Sequence, residues 1–383
     1  MKKSTLLALV LVNLAILAGI ATFSAASIVP QRQNRFDFYP HWVAGRAVWA
    51  GETPYQPAVT ERIQRGMFGT RLPAGTDQHR LVYPAYASLL LGPLVALPAN
   101  LAIPIWMALQ LWAFLVTPLV WLAILRVRPS PLRLAYLLVG LVLVFRYPMI
   151  VFVIGQFTGT LLLLLSLGIY LLTRNKDAWA GLAFALATVP PSLSGPLALV
   201  LLGAVALRGR WRGLASFLGS LALLTLASSL RIGWWLPDFL TAVGNYSGYS
   251  SLVWPPSLLG APWAAWGFTV LVAGWLLHWL RAYLRAPGSH FVGFSLAALL
   301  AALLLLPQTG TYTLSLLIVV LFALSLQPHP HRPQDALLLG LMLSPWLFYR
   351  LGDTPLQLLV LPLLCLLLFQ WNGAPTQDGV VDG

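Results

Sequence analysis

Charged residues and cysteine are both scarce in this chain. Only 9% of the 383 residues are charged, whereas 59% are hydrophobic. A soluble globular domain of this length needs more polar residues to cover its surface, so the composition excludes a soluble protein and indicates an integral membrane protein. The single cysteine, Cys365, excludes an intramolecular disulfide and a cysteine-based metal cluster.

Acidic residues are the rarer charged class. The chain has 10 acidic and 23 basic residues, which gives a formal net charge of +13. The basic residues lie singly or in pairs at the ends of apolar runs and form no long basic stripe. This pattern is typical of cytoplasmic membrane anchors and headgroup contacts, so we expect membrane lipids and no nucleic acid as partners.

Apolar runs of helix length, broken by proline and glycine, fill most of the chain. They favour α-helices over a β-barrel, whose strands alternate apolar and polar residues. The sequence therefore predicts an all-α, polytopic transmembrane helical bundle of about 12 spans. The first run, residues 4–28, is expected to be a retained anchor, and residues 85–97 are too short to span, so they are predicted to be re-entrant or peripheral.

These assignments define a topology in the plasma membrane. The bundle is predicted to be a single domain at residues 1–371, followed by a polar tail at 372–383. Both termini are expected in the cytoplasm, because this choice places most arginine-bearing connections there. Two large loops, residues 29–82 and 231–262, then lie outside.

The first of these loops holds the segment RFDFYPHWVAGRAVWAGETPYQP at residues 35–57. Pro40 suits the first turn of a helix and Gly51 suits its end, so a short helix is predicted at residues 41–50. Tryptophans on one side of this helix indicate that it lies in the membrane interface. That position would hold Asp37 at the depth of the lipid headgroups.

Four blocks carry a resemblance to a known family. In chain order they read FDFYPHWVAGRAVWAGETPY at residues 36–55, VYPAYASLLLGPLVALP at 82–98, GQFTGTLLLLLSL at 155–167 and DAWAGLAFALATVPPSL at 177–193. Together they resemble glycosyltransferase family 87, membrane mannosyltransferases of the GT-C superfamily that use polyprenyl-phosphate-mannose. The resemblance extends over residues 1–330, and the first block is its most specific part.

The resemblance implies a GT-C fold and an acidic catalytic base in the first outer loop, a role that falls on Asp37. The chemistry agrees, because transfer of a sugar to a hydroxyl requires removal of the acceptor's proton. The alternatives are an ion pair of Asp37 with Arg35 or a cap on the short helix. The departing phosphate also needs positive charge.

Several other residues are candidates for substrate binding. Arg46 could contact the lipid phosphate or pair with Glu52. Arg146, inside an apolar run, could bind phosphate in a polar cavity or extend to headgroups. Gln156 could hydrogen-bond a sugar or make a buried interhelical bond. The remaining candidates are Tyr39, His41 and Tyr312.

The chain departs from the family pattern at two positions. Family members commonly have Asn where this chain has Thr158, and Lys where it has Pro190. Loss of that Lys puts the donor in question, and Arg146 is the residue that could replace the charge. No cofactor and no metal site are predicted, and His329 with His331 is read as an ordinary loop. A divalent-metal requirement stays open.

The predicted function is that of a membrane hexosyltransferase. It would move a sugar, most simply mannose, from a polyprenyl-phosphate donor to a glycan, lipid or protein acceptor outside the cytoplasm, by inverting transfer with Asp37 as base. The alternative is a non-catalytic protein, either a translocator of lipid-linked sugar or a degenerate family member with a binding role. A translocator would carry polar groups through the full membrane depth.

Overall fold

The structure of the chain is a computed structural model that describes residues 3–32, 34–73, 75–248, 250, 252–327 and 332–372. Over these ranges the chain is helical and has no β-strand, apart from one isolated bridge between Val253 and Gln308. The prediction of an all-α fold is confirmed. The pair His329 and His331 and the tail from residue 373 onward lie outside the described ranges.

Nineteen α-helices and three other helical segments form within these ranges. The α-helices are α1 Lys3–Ser27, α2 Val29–Arg32, α3 Phe38–Trp49, α4 Pro57–Phe68, α5 Ala85–Leu90, α6 Gly92–Val95, α7 Ala99–Leu125, α8 Pro131–Leu138, α9 Tyr147–Ile154, α10 Thr158–Thr173, α11 Asp177–Ala187, α12 Pro191–Ala206, α13 Arg212–Ile232, α14 Leu236–Ser247, α15 Pro262–Arg285, α16 Pro287–Leu305, α17 Leu317–Leu326, α18 Arg332–Arg350 and α19 Gln357–Asn372. A π-helix covers Val139–Val144, and 3₁₀-helices cover Pro255–Leu259 and Thr311–Leu316.

In the described part of the chain, four helices are long and apolar enough to cross a membrane: α1, α7, α13 and α15. A fifth candidate is the pair formed by α8 with its π-helix and by α9, which is bent by 58°. Only 6% of the apolar window of α1 is buried, so most of this window is accessible, as lipid contact requires. The chain is a polytopic membrane protein, while the predicted number of spans stays a prediction.

The short helix of the first loop is longer and more enclosed than predicted. It begins at Phe38 rather than residue 41 and ends before Gly51, whose φ of +84° is the left-handed conformation that glycine adopts readily. Nine of its twelve residues are buried, because α4, α5 and α6 pack around it. The helix is therefore buried on most of its surface, whereas an interfacial helix would bury only one apolar side.

The chain divides into two compact units. The first contains residues 1–113, 150–159 and 222–250, and the second contains the remaining segments. In the first unit, α3 with α4 and α5 forms a core that includes Phe38, Ile63 and Ala85, all fully buried. Residues 85–97 form two helices, α5 and α6, each far shorter than a span. The predicted domain limits stay predictions.

The second unit is built around α15, α16 and α19. Its apolar core joins Val272 of α15, Leu304 of α16 and Leu359 of α19. The bend between the π-helix and α9 also belongs to this unit, and Arg146 lies at the bend. The break in the helix explains how a cation can occur in an otherwise apolar run.

Candidate active site

Asp37 lies at the turn that leads into α3 and is half-buried. Its backbone N–H donates to the carbonyl oxygen of Ile154, at 2.8 Å. This bond fastens the turn to the end of α9, so a segment from the middle of the chain fixes the position of the aspartate. The side chain of Asp37 makes no cap hydrogen bond to α3, which removes one of the two structural alternatives for this residue.

Gln156 follows the same end of α9 and is brought to Asp37 by a glycine turn. Gly155 has a φ of +77°, its Cα packs close to Phe38, and its carbonyl oxygen accepts a 2.9 Å hydrogen bond from the indole of Trp106. The turn directs the amide of Gln156 so that its Nε2 donates to Oδ2 of Asp37. The structure therefore brings together two predicted residues that are far apart in the sequence.

The surroundings of Asp37 act on its acidity in opposite directions. Burial is the largest influence and raises the pKa of the carboxyl above its usual value. The hydrogen bond from Gln156 and the positive charges of His79 and Arg32 lower the pKa, and the charge of Asp77 raises it. Burial prevails, so the pKa of Asp37 is raised and its carboxylate is a stronger base than an exposed one.

Arg32 and His79 were not among the candidates predicted from the sequence. His79 has a φ of 49°, its backbone N–H donates to Oδ1 of Asp77 at 2.9 Å, and its ring lies 5.0 Å from that of Phe68. The guanidinium of Arg32 lies 5.7 Å from the ring of Phe36. Both residues belong to the predicted first loop, and only the fold reveals that they act on Asp37.

Tyr39 and His41, both predicted to bind substrate, are buried in α3. The ring of His41 makes edge contacts with Tyr83 and Phe157 at centroid distances of 4.4 and 4.6 Å. Burial lowers the pKa of His41 to about 3, so the imidazole is neutral at physiological pH. The ring of Tyr39 stacks on that of Trp42 at 5.6 Å, and burial raises its pKa. Their roles in substrate binding stay predictions.

Arg46 is exposed on α3, and its guanidinium lies 5.0 Å from the ring of Trp42. The alternative that it pairs with Glu52 does not occur, because Glu52 forms its ion pair with Arg62. Arg46 follows Asp37 by nine residues, which corresponds to about 13 Å along a helix. Contact with a lipid phosphate stays a prediction for Arg46, at a position remote from the carboxylate.

Arg146 belongs to the second unit and is already engaged by an acid. Its two terminal nitrogens donate to the two carboxylate oxygens of Asp353, each at 2.8 Å, and its guanidinium lies 4.4 Å from the ring of Tyr349. Gln357 donates a further 3.1 Å hydrogen bond to Oδ1 of Asp353. Phosphate binding by Arg146 stays a prediction, and it would compete with this bidentate pair.

The last predicted site residue and the two departures from the family pattern also lie in described segments. The hydroxyl of Tyr312 lies 2.8 Å from Oγ1 of Thr309 in the second unit. Thr158 is the buried first residue of α10, and Pro190 is the extended residue that precedes α12. The role of Tyr312 in substrate binding stays a prediction.

A comparison with protein families matches residues 81–307 to glycosyltransferase family 87. This range is more than half of the chain. The chain belongs to glycosyltransferase family 87. Comparisons with curated proteins and with solved structures found no match.

Family 87 membership, together with the apolar helices, makes the chain a membrane glycosyltransferase. The range matched to family 87 includes Arg146 and Gln156, but it begins after Asp37 and ends before Tyr312. The assignment of the base therefore depends on the geometry around Asp37. Within the described ranges there is no group of three or more His, Cys, Asp or Glu side chains that could hold a metal ion.

Proposed function

We propose that this family 87 protein transfers mannose from polyprenyl-phosphate-mannose to an acceptor hydroxyl, with Asp37 as the base. The observation that carries the proposal is the environment of Asp37, whose half-buried carboxylate accepts a hydrogen bond from a neutral amide rather than from a guanidinium. Carboxylates with a raised pKa are typical of general bases.

The reaction is a single displacement at the anomeric carbon of the donor. Asp37 takes the proton of the acceptor hydroxyl as the oxygen of that hydroxyl forms a bond to the anomeric carbon. The bond from this carbon to the phosphate oxygen breaks, and its electron pair leaves with the polyprenyl phosphate. One displacement inverts the configuration at the anomeric carbon and needs no covalent enzyme intermediate.

Gln156 orients the base in this scheme. Its amide donates to Oδ2 of Asp37, and no other group in the described part of the chain donates to this carboxylate. The second oxygen, Oδ1, is thus available for the acceptor hydroxyl. Because α9 and the Gly155 turn are packed against Phe38, the amide fixes one rotamer of the aspartate.

Arg32 and His79 are the residues that we assign to the donor phosphate. Their charges already lower the pKa of Asp37, so they lie close enough to act on a neighbouring anion. Negative charge develops on the phosphate oxygen as the sugar departs, and nearby cations stabilise it. Arg46 would instead contact the lipid headgroup region from the far end of α3.

We place the reaction on the extracytoplasmic side of the plasma membrane, with both termini in the cytoplasm. The distribution of arginines over the loops supports this orientation. A polyprenyl chain partitions into the bilayer, so a donor of this kind would reach the first unit from the lipid. The acceptor would be a glycan, lipid or protein that carries a free hydroxyl.

The test is a transfer assay with the full chain in lipid nanodiscs. Labelled polyprenyl-phosphate-mannose is supplied as donor, and soluble mannosides and a membrane lipid extract are supplied as acceptors. Asp37→Asn keeps an acceptor for the Gln156 amide but removes the base, so transfer should fall roughly a hundredfold to ten-thousandfold. Glu61→Gln is the matched control, because it neutralises a half-buried acid of the same loop that pairs with Arg65.

Two results would contradict the proposal. Unchanged transfer by Asp37→Asn would remove this residue as the base. Movement of lipid-linked sugar across proteoliposomes without formation of any glycosidic bond would instead support the translocator. Mannose transfer that Glu61→Gln retains at the wild-type rate and Asp37→Asn loses would support the assignment of Asp37 as the base.

A further inference from the structure

A cavity of about 220 Å³ opens in the first unit, away from the carboxylate of Asp37. Three segments form its wall: the connection from α3 to α4, the chain just before α5, and α14. The lining residues are Tyr55, Gln56, Pro57, Arg80, Leu81, Asp238, Thr241, Ala242 and Asn245. Both predicted outer loops therefore contribute to one concave surface.

The contribution of α14 is one continuous face of a helix. Asp238, Thr241, Ala242 and Asn245 follow the spacing at which residues share a side of an α-helix. The buried Ala242 leaves room at the base of the cavity, while the other three present a carboxylate, a hydroxyl and an amide. The helix is held in place by Trp235 just before it, which is buried and contacts Tyr55.

The polar groups of the cavity have mixed character. Arg80 and Asp238 carry opposite charges, yet among the described residues neither forms an ion pair or a side-chain hydrogen bond. The side chains of Gln56 and Asn245 are likewise without hydrogen-bond partners in that set. All four side chains are exposed, and together they offer donors and acceptors around an open cavity.

This mixture selects for an uncharged, hydroxyl-rich ligand. The hydroxyl groups of a sugar both donate and accept, so they can satisfy a carboxylate, a guanidinium and two amides together. An anion would meet the carboxylate of Asp238, and a metal ion would meet the guanidinium of Arg80. The ring of Tyr55 adds an apolar face, because its hydroxyl is directed away to donate to the carbonyl oxygen of Tyr83, at 2.8 Å.

The cavity is connected to the candidate active site through two contacts. Tyr55 donates to the backbone of Tyr83, and the ring of Tyr83 contacts His41, which lies one helical turn after Asp37. Tyr83 and His41 thus link the cavity to α3, which Asp37 precedes. We propose that the cavity is an acceptor subsite that binds a sugar ring of the acceptor other than the one that receives mannose; this rests on the proposed function.

The test measures sugar binding and transfer separately, with the full chain in nanodiscs. Methyl α-mannopyranoside, mannobiose and maltose are the probes, and binding is followed by saturation-transfer difference NMR. Asp238→Asn and Asn245→Leu each remove hydrogen bonds to the ligand, so affinity should fall about tenfold or more. Arg80→Gln should act in the same direction, while Glu61→Gln should bind like the wild type.

The outcomes separate this proposal from the one on the base. Loss of transfer in Asp37→Asn with intact sugar binding supports both. Failure of all three probes to bind the wild type, or wild-type affinity in both Asp238→Asn and Asn245→Leu, would overturn the subsite whatever Asp37 does. Displacement of a bound probe by inorganic phosphate would also overturn it, in favour of an anion site.

Discussion

Asp37 in the first unit and Asp353 in the second are both carboxylates held by a glutamine, but their partners differ. Asp353 accepts two 2.8 Å bonds from the guanidinium of Arg146. Asp37 accepts its bond from the amide of Gln156, and it forms no ion pair within the described residues. The bidentate pair lowers the pKa of Asp353, whereas burial raises the pKa of Asp37.

The difference separates a structural carboxylate from a reactive one. A guanidinium at ion-pair distance stabilises the charged form and so weakens the carboxylate as a proton acceptor. Burial without such a partner has the opposite effect and leaves the group close to accepting a proton. The same residue type is thus adapted to fastening the α18–α19 connection to Arg146 in one unit and to chemistry in the other.

The largest expected effect is on activity. If it is absent, Asp37 and Asp353 do not differ in function as the comparison states. Asp37→Asn should lower kcat for mannose transfer roughly a hundredfold to ten-thousandfold, because the acceptor loses its base. Asp353→Asn should keep kcat within about tenfold, since in this interpretation the ion pair supports structure only. Steady-state kinetics at a temperature below unfolding checks both, and equal losses would show that the two acids are not distinct.

The effects on stability should have the reverse order, with a larger loss at Asp353 than at Asp37. Asp353→Asn or Arg146→Gln breaks the pair and leaves one charge alone, which should cost about 1 to 3 kcal/mol. This range is below that for a fully buried pair because the side chain of Asp353 is 40% exposed and solvent screens its charge. Thermal unfolding in detergent at pH 8 measures the loss.

Asp37→Asn should not destabilise the fold under the same conditions. A carboxyl whose folded pKa is raised loses stability as the pH rises from its unfolded pKa through its folded pKa, and the amide does not carry this cost. Its Tm should equal or exceed that of the wild type.

The double variant Arg146→Met with Asp353→Leu is the control for the ion pair of Arg146 with Asp353. It should recover most of the stability that the single variants lose, because no charge is left unpaired.

The sequence predicted the positions of the helices well because long apolar runs leave few alternatives. The apolar run at residues 100–125 is α7, Ala99–Leu125, and the run at 263–280 is α15, Pro262–Arg285. Lipid contact and backbone hydrogen bonding both require such runs to be helical. Their ends were less accurate, since prolines and arginines extend a helix beyond its apolar part.

The partners of the polar residues could not be predicted in the same way. Gln156 is 119 residues from Asp37 and Asp353 is 207 residues from Arg146, and both contacts join segments with no shared pattern. The free-energy cost of closing a long loop depends only weakly on its length, so sequence separation neither excludes nor favours any partner. For the same reason the sequence left Arg146 between a phosphate contact and a headgroup contact, and it did not indicate the pair with Asp353.

The acid limb of the pH profile of kcat/KM tests whether Asp37 is the base. Activity requires the ionised carboxylate, so kcat/KM should rise with pH through the raised pKa of this group. Gln156→Leu removes a hydrogen bond that lowers the pKa, so the limb should move to higher pH. Asp77→Asn removes a negative charge that raises the pKa, so the limb should move to lower pH. Rates measured between pH 4 and pH 8 decide the signs, and a limb that moves the same way in both variants would contradict the assignment.

The smallest expected effect concerns the turn that delivers Gln156 to Asp37. Gly155 has a φ of +77°, and an added Cβ would lie 3.4 Å from Cβ of Phe38, so the backbone strain outweighs the contact. Gly155→Ala should cost about 1 to 2 kcal/mol of stability and lower kcat severalfold, because the amide moves relative to the carboxylate. Gly19→Ala in α1, where an added Cβ meets no atom within 4 Å, is the matched control and should stabilise the helix by about 0.5 to 1 kcal/mol. A loss of stability in Gly155→Ala with unchanged kcat would show that the turn supports the fold alone and that the Gln156 amide does not need its present position for Asp37 to act.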